Sequence, residues 1–325
     1  MADRLRWGIL ATGSIARQFA GGLKVSKTGT LVATASRSQE KADAFAAEFG
    51  GRGYDSVEAL LADPEVDAVY IASPHHVHKE HTIAAARAGK AILCEKPFTL
   101  NEDEAAEALR AVDEAGVFFM EAFMYRCSPQ MRKVREILES GAIGTPRMVN
   151  AEFSFQAGRD WDNFRTDPSV GGGGLMDVGG YCVSFALLVF GGEPSELMYV
   201  KGLDEAGYDG MGAGLMKWSG GEAAHFGTGI HLNMVNDARV YGDEGHLTIS
   251  VPWKSSPDTV LTVNRRGAEP ETHRLGITND ELYAHEADAV AEFVAAGECP
   301  WFTKAESLAM ARTLDRLRAS AGLPH

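Results

Sequence analysis

The chain has 325 residues, of which 45% are hydrophobic and 23% charged, and a formal net charge of -14 from 45 acidic and 31 basic side chains. That length supports two domains, each with its own core. The acidic balance argues against nucleic acid as a partner, because a phosphate backbone calls for basic patches.

No run approaches the ~20 apolar residues that span a bilayer. Met1-Ala2-Asp3-Arg4-Leu5-Arg6 leads directly into a strand pattern, so a cytoplasmic protein is expected. The cysteines Cys94, Cys127, Cys182 and Cys299 are scattered without the short spacings of a zinc or redox motif, and are expected to be reduced, packed thiols.

Residues 5–10 read as a strand, followed by Ala11-Thr12-Gly13-Ser14-Ile15-Ala16 and a helical pattern through Phe19 and Leu23. This is the strand, tight turn and helix of a dinucleotide site, in which backbone N–H groups at the helix start hold a pyrophosphate. Thr12, Gly13, Ser14 and Ile15 are the expected contacts. The usual pattern has three small positions beginning with glycine, whereas here the first is Ala11 and the third Ala16.

A second strand over 31–35 ends at Ser36-Arg37-Ser38, about twenty residues beyond the turn, where a cofactor ribose lies. An NAD site usually places an acid there. Ser36 and Arg37 favour the 2'-phosphate of NADP instead, since a guanidinium pairs well with phosphate. Alternatively Arg37 begins the surface of the next helix and Glu40 reaches the ribose, which keeps NAD possible.

A helix over 39–49 is ended by Gly50-Gly51, a short strand and helix occupy 54–61, and 66–72 is a buried strand. Four histidines follow in Ser73-Pro74-His75-His76-Val77-His78 and His81. A zinc site is rejected for want of a cysteine or carboxylate spaced to complete a tetrahedron. A strand-end loop facing a cofactor, with Ser73, Pro74 and His78 as contacts, explains the polar residues.

After a helix over 79–88, Ala91-Ile92-Leu93-Cys94-Glu95-Lys96-Pro97 reads as a buried strand delivering a glutamate and a lysine at its carboxyl end, where open parallel sheets place their chemistry. Taken alone, Lys96 reads as a solvated strand-end lysine. Asn101 then caps a helix through Ala115, and 117–120 is a sixth strand. Such alternation calls for a right-handed, doubly wound parallel sheet, closing a first domain over 1–122.

Residues 123–325 follow a different pattern. A helix over 129–140 precedes alternating runs at 147–157, 197–202, 214–218, 223–232, 238–241, 246–251 and 259–264, and helices over 281–296 and 304–321 end the chain. This is expected to be an α+β domain with a large, mainly antiparallel open sheet. Trp218, Trp253, Phe226 and Tyr199 suggest either cover by another subunit or an ordinary intramolecular core.

Within this half, Gly171-Gly172-Gly173-Gly174-Leu175-Met176-Asp177-Val178-Gly179-Gly180-Tyr181 enters an apolar helix, with Asp177 and Tyr181 on one face. Glycines inside a helix cost about 1 kcal/mol each relative to alanine, which suggests close approach of a cofactor or substrate. A structural capping Asp and a core Tyr is the alternative.

Glu95-Lys96-Pro97, the glycine-rich run into Asp177-x-Gly179-x-Tyr181, Glu121-Ala122-Phe123-Met124-Tyr125-Arg126 and Tyr241-Gly242-Asp243-Glu244-Gly245-His246-Leu247 together resemble the glucose-fructose oxidoreductase, inositol dehydrogenase and MocA family of NAD(P)-dependent oxidoreductases. Tyr181, where inositol dehydrogenases carry histidine, makes the chain more similar to the glucose-fructose oxidoreductase and dihydrodiol dehydrogenase branch. Ala11, His75 and Cys127-Ser128 depart from the common pattern.

The resemblance implies a Rossmann domain for the first half and hydride transfer between a nicotinamide and a carbon bearing oxygen on a sugar, cyclitol or dihydrodiol. It implies Tyr181 as proton donor or acceptor, assisted by the Lys96 ammonium, or Lys96 itself as donor with Tyr181 positioning. Asp177 would orient a substrate hydroxyl, and Glu95, Lys96 and Arg165 would lie near the cofactor. Tyr125, Arg126, Trp161, His231 and Tyr283 are candidates for the substrate pocket. A homodimer or homotetramer through the second-domain sheet is expected. A non-catalytic dinucleotide-binding regulator and a dehydrogenase of sugar nucleotides are the alternatives.

Overall fold

The computed structural model describes residues 4–158 and 163–324. The chain packs into two compact units, one formed by 1–128 with 278–307 and the other by 129–277 with 308–325. The segment 278–307, which the sequence reading placed in 123–325, packs with residues 1–128.

In the first unit, β1 (Leu5–Leu10), β2 (Gly29–Ala35), β3 (Arg52–Tyr54), β4 (Ala68–Ile71), β5 (Ala91–Glu95) and β6 (Phe119–Ala122) pair in the order β3-β2-β1-β4-β5-β6. Every pairing is parallel. The strands are runs of buried apolar residues because helices cover both faces. These are α1 (Ser14–Val25), α2 (Gln39–Phe49), α3 (Val57–Leu61), α4 (His78–Arg87) and α5 (Glu102–Ala115). Asn101 caps α5 by accepting the Glu104 N–H at 2.9 Å. The strand order reverses between β1 and β4, which puts the carboxyl ends of β1, β4 and β5 at the switch point where such sheets take their ligands.

The returning segment supplies α8 (Asn279–Phe293), begun by a capping box between Thr278 and Glu281. It lies against α1 at Gly22, where a Cβ would stand 2.6 Å from the Tyr283 Cβ. Glycine at this position therefore sets the close approach of the two helices.

The second unit holds α6 (Pro129–Glu139), α7 (Gly180–Phe190) and an eight-stranded sheet: β7 (Pro146–Ser154), β8 (Glu196–Leu203), β9 (Asp209–Lys217), β10 (Ala223–Gly229), β11 (Asp237–Gly242), β12 (Gly245–Ser250), β13 (Val260–Arg265) and β14 (Glu271–Arg274). Their order is β14-β13-β12-β11-β7-β10-β9-β8. Only the β7–β10 pairing is parallel among the described strands. A last helix, α9 (Lys304–Ser320), begins in the first unit and ends in the second.

Trp218, Trp253, Phe226 and Tyr199 are all buried within the unit. Trp253 donates its indole N–H to the Glu152 carbonyl at 2.7 Å, and the Tyr199 hydroxyl donates to Asp209 at 2.7 Å. They form an intramolecular core, so these aromatics are not what another subunit would cover. The opposite face of β8 and β9 instead exposes Met198, Val200, Leu203, Met211 and Leu215, as strand alternation requires.

Candidate active site

Three segments converge on the carboxyl ends of the parallel strands. The first is the turn after β1. Ala11 has φ of +89°, a region that favours glycine, so this alanine takes the backbone shape of the glycine it replaces. Gly13 is the N-cap of α1, and a Cβ there would meet nothing within 4 Å. The open N-terminus of α1, with Gly13 and Ser14 exposed and Thr12 and Ile15 half-buried, fits a pyrophosphate held by free N–H groups.

The second is the end of β2. Ser36 is half-buried, its N–H donating to the Tyr54 carbonyl at 3.0 Å. Arg37 is exposed and makes no ion pair among the described residues, and Ser38 caps α2. A guanidinium placed so leaves its donors for an anion.

The third joins the ends of β4 and β5. His78 is buried, with Nε2 facing the Ser73 carbonyl at 2.7 Å and Nδ1 facing the Pro97 carbonyl at 3.0 Å. In its neutral form the ring has one N–H to donate, to one or other of these carbonyls. Burial holds its pKa down at about 4. The Ser73 hydroxyl pairs with His81 Nδ1 at 2.9 Å, and Pro74 is half-buried. No three His, Cys, Asp or Glu side chains among the described residues are grouped to hold a metal ion.

Glu95 ends β5 inside the unit. Its carboxylate accepts the Tyr70 hydroxyl through Oε1 and the Lys96 N–H through Oε2, the latter at 3.2 Å. Lys96 itself is half-buried, and the Lys96–Pro97 peptide is cis.

The second unit builds its own cluster. Leu175–Gly179 forms a π-helical turn leading into α7, a feature frequent at functional sites. Asp177 is 9% exposed, and its Oδ1 accepts the Arg165 Nε–H at 2.9 Å. Arg165 also lies over the Phe164 ring at 4.6 Å. Tyr181 is 4% exposed and meets Phe153 edge-on at 5.0 Å, with Trp253 at 6.0 Å.

Groups of the chain itself lie close to several of these glycines. A Cβ at Gly173 would stand 1.9 Å from Asp209 Oδ1, and one at Gly172 would stand 2.7 Å from the Arg165 and Asp167 carbonyls. A Cβ at Gly179 would meet Leu175 at 3.0 Å and Thr228 at 3.4 Å. At these three glycines a side chain would meet the loop at 165–167, Asp209 of β9, Leu175 of the π-helical turn or Thr228 of β10.

The residues named as pocket candidates have the following surroundings. Arg126 is buried, paired with Glu306 at 2.5 Å and stacked over Phe302 at 4.8 Å. Tyr125 and Tyr283 are buried core side chains. His231 is half-buried, with Nε2 on the Tyr208 hydroxyl at 2.7 Å and Nδ1 facing the Ala157 carbonyl at 3.3 Å. Trp161 lies outside the described residues.

Sequence reasoning missed Tyr70, Glu121 and Glu286. Glu286 had a signal, since it interrupts the apolar stripe of Leu282, Tyr283, Ala287 and Val290 on α8.

A doubly wound parallel sheet with an open helix N-terminus after β1 has the architecture of a dinucleotide-binding domain. Residues 5–123 match the family described as oxidoreductases with an NAD-binding Rossmann fold, and residues 131–248 match its GFO/IDH/MocA C-terminal domain. The chain belongs to this GFO/IDH/MocA family and is an NAD(P)-dependent oxidoreductase.

It is 36% identical to the mouse trans-1,2-dihydrobenzene-1,2-diol dehydrogenase, over 98% of this chain and 97% of the relative. It is 33% identical to a D-xylose 1-dehydrogenase (NADP(+)) of Haloferax volcanii, with 98% and 97% covered. Among solved structures, KijD10, a 3-ketoreductase from Actinomadura kijaniata in complex with NADP and TDP-benzene, superposes with a TM-score of 0.88 at 28% identity, covering 98% of each chain.

Proposed function

We propose that the chain is an NADP-dependent dehydrogenase or reductase acting at a carbonyl or alcohol carbon of a sugar, cyclitol or dihydrodiol. The observation that carries the cofactor choice is Arg37, exposed and unpaired among the described residues at the end of β2, where it suits a 2'-phosphate. NADP in the printed descriptions of the Haloferax and Actinomadura proteins supports the same reading. The dihydrodiol and xylose relatives support the substrate class.

The cofactor would be held by Thr12, Gly13, Ser14 and Ile15 at the pyrophosphate, by Ser36 and Arg37 at the ribose phosphate, and by Ser73, Pro74, His78, Glu95, Lys96 and Arg165 toward the nicotinamide. When bound, the nicotinamide supplies or accepts the hydride. Tyr181 gives its proton to the carbonyl oxygen in reduction and takes the alcohol proton in oxidation. A free tyrosine titrates near 10, and a neighbouring positive charge favours the phenolate. That is the role assigned to Lys96. Asp177, fixed by Arg165, accepts a substrate hydroxyl and sets its orientation.

A homo-oligomer joined through the apolar face of β8 and β9 belongs to this proposal, because exposed apolar patches of that kind mark association surfaces. So does a cytoplasmic location, with Cys94, Cys127, Cys182 and Cys299 all buried free thiols.

Thermal melting in the presence of NADPH and of NADH tests the cofactor assignment. A larger stabilisation by NADPH that is lost in Arg37→Ala is expected. Preference for NADH would assign the ribose to Glu40 and overturn it.

A further inference from the structure

The glycine-rich run and the π-helical turn that carries Asp177 rest on a buried side chain that the proposed chemistry does not use. Asp209, the first residue of β9, is 2% exposed. Met211, two residues on, is exposed, and strand alternation would send Asp209 to the same side. The pairing of β9 with β8 slips between Gly202 and Leu203, however, leaving Gly210 as an extra residue. A bulge of this kind re-aims the side chain beside it and is over-represented next to active sites. Here it turns Asp209 inward.

There the carboxyl group accepts two hydrogen bonds through one oxygen. Oδ2 takes the Leu175 N–H at 2.8 Å and the Tyr199 hydroxyl at 2.7 Å. Leu175 begins the π-helical turn, where backbone donors lack acceptors within the helix itself. The Tyr199 hydroxyl reaches Asp209 because Gly212 leaves the room that a side chain would fill.

The other oxygen, Oδ1, occupies the space that a side chain at Gly173 would need, and Gly173 has φ of +133°, which favours glycine. Gly173 in turn joins both members of the Arg165–Asp177 pair. Its N–H donates to the Arg165 carbonyl at 2.8 Å, and its carbonyl accepts the Asp177 N–H at 3.1 Å.

We infer that Asp209 is a positioning residue, which acts as a hydrogen-bond acceptor to hold the π-helical turn and thereby fixes Asp177 and Tyr181 for turnover. The inference rests on the reading of those two as working residues. A displacement of about 1 Å originating far from the chemistry can cost on the order of a hundredfold in rate, so an anchor of this kind acts on kcat.

The test combines deuterium exchange of the full chain, read by mass spectrometry on peptides spanning 173–181, with NADP+ reduction on aldoses, cyclitols and trans-dihydrodiols. Asp209→Ala removes both hydrogen bonds. Exchange over 173–181 is expected to quicken about tenfold, as for a lost hydrogen bond to a charged group, while β12 and β13 exchange as in wild type. The kcat is expected to fall about a hundredfold with the NADPH dissociation constant unchanged. Asp209→Asn keeps an oxygen at the Oδ2 position for both donors, and is expected to restore slow exchange and most of kcat.

Unchanged exchange, unchanged kcat, or faster exchange in every strand of the sheet in folded Asp209→Ala would overturn the inference. So would an Asp209→Asn variant as impaired as Asp209→Ala, because the acceptor would then not be what matters. Should Asp209→Ala fail to fold, Tyr199→Phe decides: exchange over 173–181 about threefold faster supports the inference, and unchanged exchange overturns it. Faster exchange in Asp209→Ala, with no turnover of any panel substrate by wild type, would leave Asp209 as the anchor of the turn and contradict the dehydrogenase reading instead.

Discussion

The Arg165 Nε–H donates to Asp177 Oδ1 at 2.9 Å, joining a loop after β7 to the π-helical turn before α7. Asp177 is nearly buried while Arg165 keeps about a quarter of its side chain exposed, at 10% and 28%. The Asp177 carboxylate is thus held in place by the Arg165 guanidinium. Asp177→Asn is expected to lower kcat/KM by about a hundredfold and Arg165→Met by about tenfold. Residues that share a network do not add, so the double variant is expected to lose less than the product of the two. Steady-state kinetics of the three variants checks this, and strict additivity would mean that Arg165 acts independently of Asp177.

Ala11 carries a stored cost that can be relieved. Its φ of +89° lies where an L side chain is strained, by about 1–2 kcal/mol. Glycine would remove that strain at some cost in unfolded-state entropy. Ala11→Gly is expected to stabilise the protein by about 0.5–1 kcal/mol and Ala11→Val to destabilise it by more, as read by urea unfolding.

Glu121 gives stability a specific pH signature. Its folded pKa, raised to about 8, exceeds the ordinary value of 4.5, so between those values the folded state holds a proton that the unfolded state has released. Stability from this group is therefore complete below about 4.5 and is lost as pH rises toward 8. The whole window is worth on the order of 5 kcal/mol at about 1.4 kcal/mol per unit. His78 acts in the opposite sense. With its pKa lowered from 6.5 to about 4, it costs stability as pH falls from 6.5 to 4. Thermal melts across pH 4.5 to 8 are expected to show a less negative slope in Glu121→Gln than in wild type; parallel slopes would mean that Glu121 is ionised throughout.

Much of this was legible in the sequence, and the reasons are local. The strand over 5–10 and the helix over 39–49 have the expected bounds because apolar runs, caps and glycine stops fix them. Glu95-Lys96-Pro97 and Asp177-x-Gly179-x-Tyr181 were visible as motifs. What stayed hidden depends on distant partners. Nothing local in Thr278 through Ser307 shows that this stretch returns to the first unit, since the signal is Gly22 meeting Tyr283 across the chain. β14 was missed because Glu271–Arg274 is a polar, largely exposed strand. The pairing of Arg126 with Glu306 was hidden because the two are 180 residues apart.

The exposed face of β8 and β9 gives a prediction for assembly. Met198, Val200 and Leu215 are each at least half exposed, and a charge among them would have to be desolvated in any interface. Val200→Asp with Leu215→Asp is expected to convert an oligomer into a folded monomer, measured by sedimentation velocity with circular dichroism. An unchanged oligomer would place the interface elsewhere.

The central claim is that hydride transfer is coupled to a proton on Tyr181. It is tested most directly by NADP+ reduction with a panel of aldoses, cyclitols and trans-dihydrodiols, comparing wild type with Tyr181→Phe and Lys96→Met. Wild type is expected to turn over at least one of these, with kcat falling by a hundredfold or more in Tyr181→Phe, within the range typical of general acid–base groups of about 10²–10⁴, and falling also in Lys96→Met. An unchanged rate in Tyr181→Phe together with loss in Lys96→Met would contradict the account and make Lys96 the proton donor.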